Sequence, residues 1–470
     1  MKKSVINIRK FFLLLIFSAS LIPAFAQDDD FFSDDDFFAE DTIDESYVEE
    51  SAQAGAQNSS FNKDLLKQGI LFEDGSVKIG GNYSLSLYTL SALYTPEESD
   101  FATNIENTTL TPKASAYLYV DARPSQTLRM YTKFGFNYPF ASNVYLESYT
   151  PSPTFSVADW FKLKELFSDF NIKDRVFFRF GLHTVTWGTG YFFSPVSDII
   201  NTSSIDPENV TEQVDGSLNL RMQITFPGTQ NCLWFYMIPS TDFISAGSAS
   251  SYARDTAFAA KGEITLLNWE LGAGSYYKYQ NAPKAMLTAS GGIFGSKINV
   301  FAEFVYQYGA QTEWASNTDW TDKTNIFLVT AGFSKYWKDP SITLVGQYYF
   351  DGNDVDFVHK YYQHGHNIAL ACSFGRVFGS TDFTASLYGI VNFGKVNKLT
   401  EQDAATLGTN ASIYEAAITN SSGAIFSAML NYSPVKELTF GLGPYITFTN
   451  WEKEPSVNLK LEVTLGGGKF

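Results

Sequence analysis

The last fifteen residues, Ser456 to Phe470, alternate apolar and polar side chains and then stop. Val457, Leu459, Leu461, Val463 and Leu465 fall on one face, while Asn458, Lys460, Glu462, Thr464 and Gly466 fall on the other. A period of two is that of a β-strand, whose successive side chains point to opposite faces. A strand left with unpaired N–H and C=O groups along an edge is a template for aggregation. Both edges of this one must pair, which the closing strand of a barrel achieves.

The same two-faced pattern runs through the chain from Val77 onward. A first strand spans about 77–90, with Val77, Ile79, Tyr83, Leu85 and Leu87 on its apolar face. The next two, about 110–122 and 127–140, are joined by Arg123-Pro124-Ser125-Gln126. Similar tight turns follow at Lys173-Asp174, Pro227-Gly228, Leu267-Asn268, Gly295-Ser296, Lys338-Asp339-Pro340, Phe378-Gly379-Ser380 and Pro434-Val435-Lys436. Most carry Gly, Pro, Asn, Asp or Ser, residues that supply turn geometry between alternating segments. Eight hairpins between a first and a last strand predict an all-β fold, an antiparallel barrel of about 18 strands. The segment 162–172 also fits a helix, which would leave 16.

This barrel is expected to cross a membrane. No stretch offers the ~20 consecutive apolar residues of a spanning helix, although 44% of the chain is hydrophobic. Alternation hides that hydrophobicity on one side of each strand, as membrane barrels do. Long connections at about 91–109, 141–161, 188–215, 240–254, 310–324, 352–365 and 394–421 oppose the short turns. Aromatic residues gather near strand ends, as at Trp234, Tyr236, Trp269, Tyr277, Tyr279, Tyr306, Tyr308, Tyr336, Trp337, Tyr348 and Phe350. Such rings favour the two bilayer interfaces. The terminal Phe470 resembles the C-terminal signal of bacterial outer-membrane β-barrels. That resemblance implies the outer membrane of a diderm bacterium, outer-membrane lipid as surroundings, and the barrel assembly machinery and periplasmic chaperones as partners.

Upstream of the barrel, Lys2, Lys3, Arg9 and Lys10 precede the apolar run Phe11 to Ile22 and then Ala24-Phe25-Ala26. This is the layout of a secretory signal peptide cleaved before Gln27. The sequence divides accordingly into a signal peptide (1–26), an acidic periplasmic tail (27–60), a linker or small plug (61–76) and the barrel (77–470). Asp28-Asp29-Asp30-Phe31-Phe32 recurs as Asp34-Asp35-Asp36-Phe37-Phe38, and residues 28–50 hold twelve carboxylates with no Lys or Arg. Like charges in such density repel and bury no core, so this tract is expected to be disordered. The net charge of −17 excludes nucleic acid as a partner class. Cys232 and Cys372 both fall on the apolar face as small hydrophobes, with no disulfide framework.

If the apolar face meets lipid, the other face lines the lumen. Arg129, Lys133, Arg175, Arg179, His183 and Arg221 form a basic arc there; Glu165, Asp169, Glu263 and Glu303 are acidic counterparts, with Lys261, Glu270, Lys278, Lys460 and Glu462. Such charges either bias the passage of solutes or pair across strands to hold the wall together. Gly181 to Gly190, with Ser197-Asp198-Ile199-Ile200-Asn201 after it, resembles a stretch of alginate-export-like outer-membrane barrels. There a basic strand leads into Gly-x-Gln-x-x-x-Trp-Gly and an Asp/Asn segment; here His183 stands where that pattern has Gln. The resemblance implies a porin-like barrel and carries no substrate. Loop 188–215 is long enough to fold inward as a constriction, with Trp187, Gly188, Gly190, Asp198 and Asn201 its candidate residues.

His359, His364 and His366 lie with Asp351, Asp354 and Asp356 in or just beyond loop 352–365, where His364-Gly365-His366 is compact enough to chelate a transition metal weakly; exposed loops commonly carry such residues without metal and no Cys joins them, so neither metal nor cofactor is expected. His183 has no Ser or carboxylate beside it in a catalytic motif, and no phosphate loop or dinucleotide fingerprint occurs. The expectation is a non-enzymatic channel, passive or substrate-biased, for small solutes. The alternatives are a plugged structural or surface-interaction barrel with ligand-binding loops, and a transporter for hydrophobic substrates.

Overall fold

The computed structural model describes the strands and shorter connections between residues 72 and 469. Residues 1–71, 139–160, 240–253, 354–364, 394–421 and 449–453, most of 96–107, residue 470 and some single residues or pairs lie outside it. The signal peptide and acidic tract expected from sequence therefore fall outside the described residues.

A short strand β1 (Phe72–Asp74) precedes β2 (Val77–Tyr94), β3 (Thr109–Ser125), β4 (Leu128–Tyr138), β5 (Phe161–Ile172), β6 (Val176–His183) and β7 (Ser217–Thr225). Then come β8 (Cys232–Ile238), β9 (Ala257–Leu266), β10 (Trp269–Lys278), β11 (Lys284–Ile293), β12 (Ile298–Tyr308) and β13 (Asn325–Trp337). The last six are β14 (Ile342–Asp351), β15 (Gly365–Phe374), β16 (Phe383–Phe393), β17 (Ser422–Val435), β18 (Leu438–Phe448) and β19 (Ser456–Lys469). From β2 each strand pairs with the next, and β19 returns to β2 through pairs from Val457↔Tyr94 to Lys469↔Asn82. The ring of eighteen is closed, which removes every long edge. The segment that also fitted a helix is β5, paired with β4 and β6, so eighteen strands stand and sixteen do not. β1 adds to the start of β2, with Phe72 opposite Ile79 and Asp74 opposite Val77, on the edge of β2 beyond the end of β19.

Short connections define one rim. Lys173-Asp174 and Leu267-Asn268 have positive φ at both residues (54° and 50°; 54° and 65°). A two-residue turn with both positions left-handed matches the right-handed twist of the flanking strands. The opposite rim carries the long connections, including the short helix α1 (Gln311–Ser316).

The two faces are sorted in the reverse of a water-soluble protein. Leu85, Phe180, Phe258, Leu287 and Leu461 point outward and are 41–54% exposed. Glu303, Thr330, Gln347, Asn367 and Asn392 point inward and are buried. Tyr277, Tyr279 and Tyr348 stand exposed on the outer face near the long-loop rim, where interfacial rings belong. Trp234 and Tyr236 depart from the expected girdle. On β8 the outer positions are taken by Leu233, Phe235 and Met237, so Cys232, Trp234 and Tyr236 face the lumen. Cys232 therefore does not sit on the apolar face. Its thiol lies 3.1 Å from Glu263 Oε2. Both cysteines are free.

One irregularity changes the lumen. Opposite β4, Lys133 pairs with Glu165 and Phe134 with Leu163, leaving Lys164 as an extra residue. This β-bulge shifts the alternation by one, so Lys162 and Lys164 face inward on the same strand as Glu165, Phe167 and Asp169.

Candidate functional site

The connection 184–216 between β6 and β7 runs through the barrel interior. Val185, Trp187, Val196, Ile199 and Ile200 pack against Tyr236, Ala259, Met286 and Val305, inner-face residues of β8, β9, β11 and β12. Phe192 and Phe193 pack against Val345, Tyr349, Ala369, Ile390 and Ile425 on β14 to β17. The apolar side chains of the segment thus touch the wall along two separate arcs. The rings of Trp187 and Tyr236 meet edge to face at 4.9 Å, and Phe193 stacks on Tyr349 at 4.9 Å. Tyr236 and Tyr349 are inward because they hold this segment.

Polar side chains from the wall satisfy the segment's backbone. Glu303, midway along β12, accepts hydrogen bonds from the N–H groups of Thr189, Gly190 (2.6 Å) and Val196 (2.9 Å) and from Ser194 Oγ (2.9 Å). Gln347 on β14 uses both ends of its amide. Its Oε1 accepts from the N–H groups of Tyr191 (3.0 Å) and Phe192 (2.7 Å), and its Nε2 donates to the Phe193 carbonyl (2.6 Å). Lys261 Nζ donates to the Trp187 carbonyl and lies 2.6 Å from Glu263. A non-repetitive backbone has no internal ladder for its buried polar groups, and these three side chains replace it.

The segment also braces itself. Trp187 Nε1 donates to the Val196 carbonyl at 2.6 Å, and Asn201 exchanges two 2.8 Å hydrogen bonds with the Val185 backbone. Gly188 and Gly190 are required by crowding. A Cβ at Gly188 would overlap Ser194 Oγ and the Glu303 carboxylate, and one at Gly190 would overlap the Phe193 carbonyl. Asp198 lies in the single 3₁₀ turn Ser197–Ile199, and its buried Oδ1 has no hydrogen-bond partner among the described residues. Burial pushes its carboxyl up to about 8; a hydrogen bond from Ser204 and the charge of Lys284 oppose the shift, and Glu303 and Asp351 add to it.

With β8–β12 and β14–β17 covered, the wall left open belongs to β19 and β2–β5. Arg129, Lys460, Glu462 and Lys162 keep 27%, 31%, 35% and 52% of their side chains exposed there. Register places Arg129, Asp169, Arg179 and Arg221 side by side on β4 to β7. Arg179 grips Asp169 with two hydrogen bonds (2.6 and 3.0 Å), while Arg129 bonds Asp121 at 3.0 Å and lies 3.6 Å from Asp169. The guanidinium of Arg179 stacks 3.9 Å from the Phe167 ring, and Tyr119, Tyr131 and Phe167 form a cross-strand stack. Further toward the long-loop rim, Lys133 donates to Gln213, and Lys162 and Lys164 both reach Asp215. Burial works against charge on Asp215, but the hydrogen bonds and charges of the two lysines hold its carboxyl below the usual range.

Of the residues singled out in the sequence, Arg129, Lys133, Arg179 and Arg221 share this arc. Glu263 and Glu303 stand on the opposite wall, and Trp187, Gly188, Gly190, Asp198 and Asn201 all lie in the inward segment. His183 is fully buried, its Nδ1 3.3 Å from the Gly181 carbonyl and its ring edge-on to Phe167. Arg175 is not on the lumen wall; it sits exposed in the β5–β6 turn at the short-turn rim. His359 and His364 fall outside the described residues, whereas His366 is on β15, bonded at 2.8 Å to Tyr348. Lys162, Lys164 and Gln347 are functional positions not legible in the sequence. The lysines are hidden by the bulge, and Gln347 is an unremarkable polar position of an alternating strand.

An eighteen-strand closed barrel with an apolar exterior, a polar interior and one rim of short turns is an outer-membrane β-barrel. No protein-family model matches the chain, and no curated protein matches it. Solved structures similar to it include the outer membrane protein opdK of Pseudomonas aeruginosa, with 10% identity, a TM-score of 0.46, and 83% of this chain and 98% of that one covered. The outer membrane channel DcaP of Acinetobacter baumannii gives 11%, 0.42, 84% and 98%. A BenF-like porin from Pseudomonas fluorescens Pf-5 gives 8%, 0.47, 83% and 98%. Likeness of this degree carries nothing about solute.

Proposed function

We propose that the barrel is a passive channel for small solutes, biased toward anions, with segment 184–216 as its constriction. The observation that carries this is the placement of that segment. It is held by Glu303, Gln347 and Lys261 against one side of the lumen and by Lys133, Lys162 and Lys164 near the long-loop rim, so the remaining passage runs beside the partly exposed Arg129 and Lys162. A barrel of ~18 strands leaves an aqueous channel unless filled, and the arc of β19 and β2–β5 keeps partly exposed charged side chains facing the lumen. Charged rings in a narrow aqueous pore act on permeant ions with little screening.

The test is single-channel recording of the refolded mature protein in planar bilayers under a salt gradient. Steady conductance with a reversal potential on the anion side supports the channel. A folded, inserted barrel that stays electrically silent overturns it in favour of a plugged barrel.

A further inference from the structure

We propose that the acidic, phenylalanine-punctuated tract 28–50 of this same chain docks on the basic mouth of its own barrel at the short-turn rim. The surface is asymmetric. Lys78, Arg123, Arg129, Arg175 and Arg221 lie on β2–β7 and their turns toward that rim, against the carboxylates of Asp121 and Asp169. Glu270, beside the turn between β9 and β10, marks the opposite side, where Glu263 further along β9 is paired with Lys261. An acidic ligand is therefore drawn to the arc where these guanidinium groups cluster.

The occupant is chosen by charge, aromatic content and reach. Residues 28–50 hold twelve carboxylates and no Lys or Arg, and Phe31-Phe32 and Phe37-Phe38 follow two aspartate triplets. The arc offers the complement, guanidinium groups beside exposed and half-buried rings such as Tyr131, over which Arg129 lies at 5.1 Å. Carboxylate–guanidinium pairs and arginine–aromatic stacking use the same side chain in two directions. The tract is tethered where it is needed, because β1 pairs with β2 at Val77–Ile79, on the same short stretch as Lys78 and next to the turn bearing Arg123. Thirty-three residues lie between Phe38 and Phe72, a length of chain whose reach as a coil is about 30 Å root-mean-square. A tether of that length gives a local concentration on the order of millimolar.

The proposal does not need the barrel to conduct, although its effect on current rests on the channel reading. Two measurements on the full mature chain keep these separate. Carbodiimide, which joins amines to carboxylates at contact distance, followed by mass spectrometry should link Lys78 or Lys173 to carboxylates of 28–50. The yield should fall several-fold at 1 M salt, where the screening length shrinks to ~3 Å. Replacing Asp28, Asp29, Asp30, Asp34, Asp35 and Asp36 by Asn should abolish those links and, in bilayers, raise anion conductance. Links confined to residues within the tract, or to lysines of the long-loop rim, overturn the docking. Silence of both proteins in bilayers overturns the channel and leaves the cross-links to decide the docking. Identical conductance of both, with the Lys78 or Lys173 links absent, overturns the docking and leaves the channel standing.

Discussion

Glu303→Ala should release the inward segment and widen the passage. The carboxylate accepts four hydrogen bonds, three from backbone N–H groups and one from a hydroxyl, in a position only 2% exposed. Hydrogen bonds to a charged acceptor are worth about 1.5–3 kcal/mol each, so the gross loss is about 6–12 kcal/mol. Water entering from the lumen recovers much of this, and with each buried donor left unsatisfied costing about 1–3 kcal/mol a net loss of about 3–5 kcal/mol remains. At ~1.4 kcal/mol per tenfold, the ratio of docked to undocked segment falls by about 10² to 10⁴. Glu303→Gln keeps one acceptor oxygen but turns an NH₂ toward groups that are themselves donors, so its effect should be intermediate. The assay is single-channel conductance together with protease sensitivity of 184–216, with circular dichroism confirming an intact barrel. Wild-type conductance and wild-type protection in the alanine variant would refute the reasoning.

Other outcomes follow from the same geometry. Gly190→Ala places a Cβ against the Phe193 carbonyl and should increase proteolysis of the segment without unfolding the barrel, measured as cleavage rate at constant strand content. Asp198 gives a pH dependence. Its carboxyl is raised to about 8 from ~3.9 when exposed, so docking is fully supported below that lower value and loses support as pH rises through about 8. Conductance titrated from pH 4 to 9 should change as this support is lost and level off above about pH 8, and Asp198→Asn should be flat across that range. Charge at the passage should set selectivity, so Lys162→Glu is expected to move the reversal potential toward the cation side. Arg129→Ala, on the lumen wall, should shift it more than Arg175→Ala in the rim turn; an equal shift would count against the arc as the selecting surface.

Much of the wall was legible because a strand that separates lipid from water must alternate, and alternation is a local property. The hairpin turns were legible for the same reason; Lys173-Asp174 and Leu267-Asn268 announce themselves between two alternating runs. The lumen was less so. One extra residue at Lys164 inverts the faces of everything before it on β5, and nothing local marks which residue of a strand is unpaired. Trp234 and Tyr236 read as girdle rings because an aromatic at a strand end has the same composition whether it faces headgroups or a loop within the barrel.

The sequence by itself determined a closed antiparallel barrel, its eighteen-strand count within two, and the inward or outward sense of most strand positions. Each of these follows from periodicity and from the cost of an unpaired edge. Only the tertiary structure decided what the barrel contains. Glu303 and Gln347 meet the segment 189–196 across more than a hundred residues of chain, and their roles exist only once the ring has closed around it. Long-range pairing of a buried carboxylate with backbone N–H groups leaves no trace in local pattern, because any polar residue would satisfy the alternation at those two positions.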